Sequence, residues 1–240
     1  MVNRTLHYFY DPLCGWCYAA SPLLQAAAAL PGLSLELHAG GMMSGRARQP
    51  VTPALRDYVM PHDRRIASIT GLPFGDAYFD GLLCDEHAVF DSTPPIAAIL
   101  AAAQLGVPAL AMLAALQGAH YQRGLQIADG AVLQMIAREQ GLDPAGFAAE
   151  LERQRSLADA HIQSSRQLMQ QYGLQGFPSL LLERDGQLQG LDVSSWLGQP
   201  QAFATALQGA LGPAEPAELA ELAELAAAAL CTPDGCGLPG

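Results

Sequence analysis

Cys14-Gly15-Trp16-Cys17 stands where an aromatic stretch, Tyr8-Phe9-Tyr10, gives way through Asp11-Pro12 to an alanine- and leucine-rich run, and this junction constrains the chain more than any other feature. Residues 5–10 are rich in β-formers, Asp11-Pro12 breaks the strand, and residues 14–30 have a helical composition. Cys14 therefore falls at the start of a helix and Cys17 one turn inside it. Free N–H groups and the positive end of the helix dipole favour an anion at that place, so Cys14 is the expected nucleophile and Cys17 the resolving thiol. Two other readings of the pair stay open. One is half of a zinc site, for which Cys84-Asp85-Glu86-His87 supplies the nearest second pattern, and the other is an inert structural disulfide.

With 240 residues, 50% of them hydrophobic, the chain can bury a large core without disulfide staples, which leaves its cysteines for chemistry. A net charge of -11 argues against nucleic-acid backbones and anionic membranes as partners. Residues 1–8 run straight into the first strand without the pattern of a secretory signal. The longest apolar runs, such as residues 96–103, fall far short of the ~20 residues that a membrane helix needs. The expected location is cytoplasmic, where a cycling Cys14–Cys17 pair is more at home than a permanent bridge.

Residues 33–38 alternate apolar and polar after the Leu30-Pro31-Gly32 stop and read as a second strand. The long stretch that follows offers no convincing strand. It reads as short helices with proline just inside their starts, at Thr52-Pro53, Thr93-Pro94, Val107-Pro108 and Asp143-Pro144. Strand chemistry returns at residues 176–183 and 188–193 around an Asp185-Gly186 turn signal, and a helix over residues 199–211 closes the pattern. The order β-α-β, helical block, β-β-α predicts an α/β chain with a thioredoxin-like fold and a large helical insertion. The expected division is residues 1–43 with 173–212 for the thioredoxin-like part, 44–172 for the insertion, and 213–240 for a C-terminal helix and Cys-x4-Cys tail.

The Tyr-Asp-Pro loop before Cys14-Gly15-Trp16-Cys17, Pro22 in the first helix, the segment Gly71-Leu72-Pro73-Phe74-Gly75, and Gly176-Phe177-Pro178 before the hairpin carry a resemblance. Across nearly its whole length the chain resembles the DsbA-like branch of the thioredoxin superfamily, and most of all the cytosolic FrnE-type thiol oxidoreductases. The resemblance implies a cis proline at Pro178 facing the cysteines, with the Phe177 backbone offered to a bound peptide; Trp16 also stands where substrate would lie. The alternative makes Pro178 the first residue of an edge strand in a trans bond. Strongly oxidising members carry Pro-His between the cysteines, where this chain has Gly15-Trp16, so a cationic imidazole is missing and the direction of transfer stays open.

Asp11 has two readings, a charge or proton relay beside the thiols and a turn residue capping the helix. His62-Asp63-Arg64-Arg65 reads as a solvated helix face rather than a binding site for an acidic group, and Cys84 as a small buried residue rather than an oxidation sensor. Cys231-Thr232-Pro233-Asp234-Gly235-Cys236 follows a low-complexity helix, and its four central turn-formers allow a local bridge. FrnE-type proteins pair such a tail with their Cys-x-x-Cys, so Cys231 and Cys236 are expected to form a second redox pair; exposed thiols on a C-terminal tail are the alternative.

The function expected from these features is protein dithiol–disulfide oxidoreduction through a mixed disulfide, with no cofactor and no metal. The implied partners are disulfide- or dithiol-containing proteins and a thiol reductant such as glutathione or thioredoxin. Two rivals remain: a glutathione-dependent isomerase or transferase of the same fold, against which Cys17 weighs, and a redox-switched or zinc-binding module built on Cys14, Cys17, Cys231 and Cys236.

Overall fold

Strand β1 (Arg4–Tyr10) is buried almost throughout and occupies an interior place in a four-stranded sheet. The structure is a computed structural model that describes residues 4–212. After β1 come helix α1 (Gly15–Ala28), strand β2 (Ser34–Ala39), a two-residue strand β3 (Gln49–Pro50) and helix α2 (Pro53–Thr70). A single π-type turn (Ala77–Gly81) leads to a second short strand, β4 (Val89–Phe90). Helices α3 (Thr93–Gln104), α4 (Ala109–Tyr121), α5 (Gly130–Glu139) and the long α6 (Pro144–Gln171) follow. Strands β5 (Ser179–Arg184) and β6 (Gln187–Leu191) and helix α7 (Pro200–Leu211) complete the described chain.

The sheet order is β2-β1-β5-β6, with β1 parallel to β2 and antiparallel to β5. This is the thioredoxin-like arrangement with a helical insertion between β2 and β5. The turn joining β5 to β6 is closed by Asp185 and Gly186, both at positive φ (54° and 75°), as a two-residue hairpin turn requires. The β1 side chains divide by the two-residue strand period. Leu6, Tyr8 and Tyr10 enter the main core with α1 and α7, whereas Phe9 enters a small core with Met169 and Leu181. The main core also takes residues from α3, α4 and α5, so it runs without a break from the sheet into the insertion.

Proline starts α2, α3 and α6 inside the first turn, where its missing N–H is an orphan in any case. Thr52 and Asp143 cap α2 and α6 with their side chains. Two expectations need correction. Pro108 is the cap of α4 rather than its first residue. The stretch read as strand-free contains the β3–β4 pair, whose two residues per strand are too few to show alternation.

Candidate active site

Cys14 is the N-cap of α1, with an extended backbone (φ -93°, ψ 113°), and its carbonyl accepts from the N–H groups of Cys17 and Tyr18. The strand ends at Tyr10, the turn is closed by the Cys14 N–H donating to the Asp11 carbonyl, and the helix begins at once. Both cysteines are free thiols. Cys17 is fully enclosed, whereas Cys14 retains 6% exposure and lines a cavity of about 540 Å³. Burial and then the neighbouring Cys14 push the Cys17 thiol up, so Cys17 holds its proton more firmly than an ordinary thiol.

The Cys14 Sγ donates to the Phe177 carbonyl at 3.5 Å, across 163 residues of chain, and the Phe177–Pro178 bond is cis. Phe177 and Pro178 line a second groove of about 420 Å³, and Trp16 borders both spaces. The structure thus brings Cys14, Cys17, Trp16, Phe177 and Pro178 together. The position of Phe177 depends on Gly40, since a Cβ there would lie 2.0 Å from Phe177 Cζ. Arg166 on α6 holds this wall by donating to the Gly40 and Gly41 carbonyls at 2.7 and 2.6 Å. Gly40→Ala is expected to drive the Phe177 ring out of its small core and to carry the Phe177 carbonyl away from Cys14. The expected cost is roughly 1–3 kcal/mol in urea unfolding, with loss of thiol–disulfide exchange at Cys14. Unchanged stability and exchange would show that the ring has room to move.

Asp11 is buried, and its carboxylate does not cap α1. Oδ1 accepts from the Leu13 N–H at 2.9 Å and the Ser92 hydroxyl at 2.9 Å, and Oδ2 accepts from the Met42 N–H. It therefore closes the turn ahead of the helix and ties three chain segments together. Burial raises its carboxyl to about 6 in spite of these bonds, and it is close enough to Cys17 to act on that thiol electrostatically.

Asp63 is the residue that sequence reasoning missed. It lies inside α2 at 4% exposure, where the segment was read as a solvated face. The Tyr78 hydroxyl donates to its Oδ2 at 2.7 Å, and it lines the cavity beside Cys14 and Trp16. Burial raises its carboxyl to about 7. Gly15 accommodates it, since a Cβ at that position would stand 2.4 Å from Asp63 Oδ1. The signal was present in the helix period, because Val59, Asp63 and Ile66 share one face of α2 and the two flanking positions are apolar.

The Gly71–Gly75 segment reaches the same region. The Tyr18 hydroxyl donates to the Pro73 carbonyl at 3.0 Å, and the Phe74 ring meets Tyr18 edge-on with centroids 5.3 Å apart. Cys84 is exposed rather than buried, because the chain leaves a short 3-10 turn there at the surface. It does not join Cys14 and Cys17 in any group of three metal-ligating side chains among the described residues. Cys231 and Cys236 lie outside the described residues. No helix among the described residues is long and apolar enough to cross a membrane.

Residues 5–208 match the DSBA-like thioredoxin domain family. Among solved structures, the chain is similar to the cytosolic disulfide reductase DsbM from Pseudomonas aeruginosa. The identity is 53% over 86% of this chain and 98% of that chain, with a TM-score of 0.82. The same reductase with GSH gives 50% identity over the same shares and a TM-score of 0.80. A protein from Nitrosomonas europaea, 23% identical over 85% of this chain and 95% of that chain with a TM-score of 0.69, shares the fold. No curated protein sequence matches.

Proposed function

The chain belongs to the DSBA-like thioredoxin domain family, and on that premise we propose that it is a cytoplasmic protein disulfide reductase working through Cys14 and Cys17. The observation that carries this reading is the Cys14 thiol at the start of α1, facing the Phe177 carbonyl beside Pro178 and open to a cavity on one side.

The Cys14 thiolate attacks one sulfur of a substrate disulfide, forming a mixed disulfide and releasing the other substrate sulfur as a thiolate. Phe177 and Trp16 line the groove that holds the substrate chain. Cys17 then gives up its proton and attacks the Cys14 sulfur, which closes the Cys14–Cys17 bond and releases the second substrate thiolate. The departing substrate thiolate takes up the Cys17 proton, while the buried Asp11 carboxyl acts on the Cys17 thiol electrostatically. Two glutathione molecules restore the dithiol: the first attacks the Cys14 sulfur and frees Cys17, and the second attacks the glutathione sulfur and leaves as glutathione disulfide. The similarity to DsbM supports both the reductive direction and glutathione as the electron donor.

A glutathione redox titration of the full chain carrying serine at positions 84, 231 and 236 tests the direction. A Cys14–Cys17 potential near ~-270 mV fits a reductase, whereas one at ~-120 to -180 mV would make the protein an oxidant or isomerase.

A further inference from the structure

On the α6 side of the sheet, away from both cysteines, His7, Glu36 and His38 meet. The β1–β2 register sets His7 beside Glu36 and Phe9 beside His38, so the strand period turns all of these side chains to one face. His7 Nδ1 is 3.0 Å from His38 Nε2 and 3.4 Å from Glu36 Oε2, and His38 Nε2 is 3.8 Å from Glu36 Oε2. An ion holding three ligands tetrahedrally at ~2.0–2.1 Å separates their atoms by ~3.3–3.4 Å, which falls in the middle of this range.

The far side of the His7 ring is also furnished. His7 Nε2 lies 3.1 Å from Glu183 Oε2 on β5, and an Nε2–H donated there leaves the Nδ1 lone pair directed at the other two ligands. A carboxylate behind a ligating histidine fixes its tautomer and raises its basicity. The contact between the two rings holds one proton; its transfer to His38 Nδ1 frees the second lone pair. The rings are 15% and 14% exposed and Glu36 is 59% exposed, so the histidines are sheltered while an ion can enter past Glu36.

We propose that His7, Glu36 and His38 bind one divalent cation of the zinc class, with Glu183 orienting His7 and water completing the shell. Two imidazoles and one carboxylate suit that class better than the hard, oxygen-seeking magnesium or calcium. The ion joins the edge strand β2 to β1, and it favours the folded state because only folding assembles the triangle. The site uses no thiol, so it stands or falls independently of the reductase reading.

The test titrates Zn²⁺ by calorimetry into the full chain, without a histidine tag, after Cys14–Cys17 has been oxidised and the remaining thiols alkylated. One ion per chain is expected. Glu36→Gln should weaken binding by ~10-fold or more, Glu183→Gln by ~10–100-fold, and His38→Ala should remove it. Zinc should also raise the melting temperature of the parent more than that of Glu36→Gln. Glu36 is exposed, so that variant keeps its fold and decides the matter even if His38→Ala does not fold. Absence of saturable binding to the thiol-blocked parent, or equal affinity in Glu36→Gln, overturns the proposal.

Discussion

Cys14→Ser is expected to lower insulin reduction by ~10³-fold or more, whereas Cys17→Ser should yield a protein that accumulates covalently linked substrates. The asymmetry follows from position. Cys14 borders the cavity and faces the Phe177 carbonyl, while Cys17 is sealed one turn further in. A substrate sulfur can reach Cys14 but not Cys17, so without Cys17 the first exchange still takes place and the second does not. Non-reducing electrophoresis of each variant after incubation with a disulfide-containing protein reads the difference. Iodoacetamide at neutral pH adds a second check, because it should modify Cys14 first. Prior alkylation of Cys17, or adducts on Cys14→Ser but not on Cys17→Ser, would reverse the assigned roles.

Asp63→Asn should stabilise the protein at pH 8 and change it much less at pH 5. The Asp63 carboxyl rises from 3.8 to about 7 in the folded chain because burial penalises its charge. Below pH ~4 both states carry the proton. Between ~4 and ~7 the folded state keeps a proton that the unfolded state has lost, so stability falls as pH rises, and the loss is complete above ~7. At ~1.36 kcal/mol per unit, the advantage of Asn over Asp should grow by roughly 2–3 kcal/mol from pH 5 to pH 8. His38 and His120, both pushed down to about 4 by burial, oppose this trend in the wild type, since their stabilising neutral forms are lost as pH falls. They are present in both proteins and drop out of the difference. The asparagine carbonyl can still accept the Tyr78 hydroxyl, which keeps the comparison clean. Urea unfolding at the two pH values measures the effect; a difference independent of pH would show that Asp63 is ionised in the folded state.

The features legible in the sequence are those that a few neighbouring residues decide. The strand–helix junction at Cys14, the prolines opening α2, α3 and α6, and the Asp185-Gly186 turn each follow from local backbone preferences. The Gly176-Phe177-Pro178 segment marked the start of β5, and its cis bond entered by resemblance rather than from spacing. What escaped was made by long-range contact. Asp63 becomes buried because Tyr78 and Gly15 close over it, and Asp11 acquires donors from Met42 and Ser92. His7, Glu36, His38 and Glu183 come from three strands and meet only through sheet register. Cys84 was read as buried from the usual habit of cysteine, but its surface turn is set by how the chain leaves the π-type segment.

The sheet order also bears on how the protein is made. Strand β1 pairs with β5, so residues 4–10 wait for residues 179–184 before both sides of β1 are bonded. During synthesis the β1–α1–β2 segment emerges well before β5, which leaves one edge of β1 open to pairing with another chain. Closing so long a loop costs entropy that no contact repays until the helices between have formed, which slows the last step of folding. The wall that faces Cys14 arrives with Phe177, well after the cysteines themselves. A nascent chain that ends before Phe177 carries the cysteine pair without the carbonyl that faces Cys14 and without the groove beside Pro178.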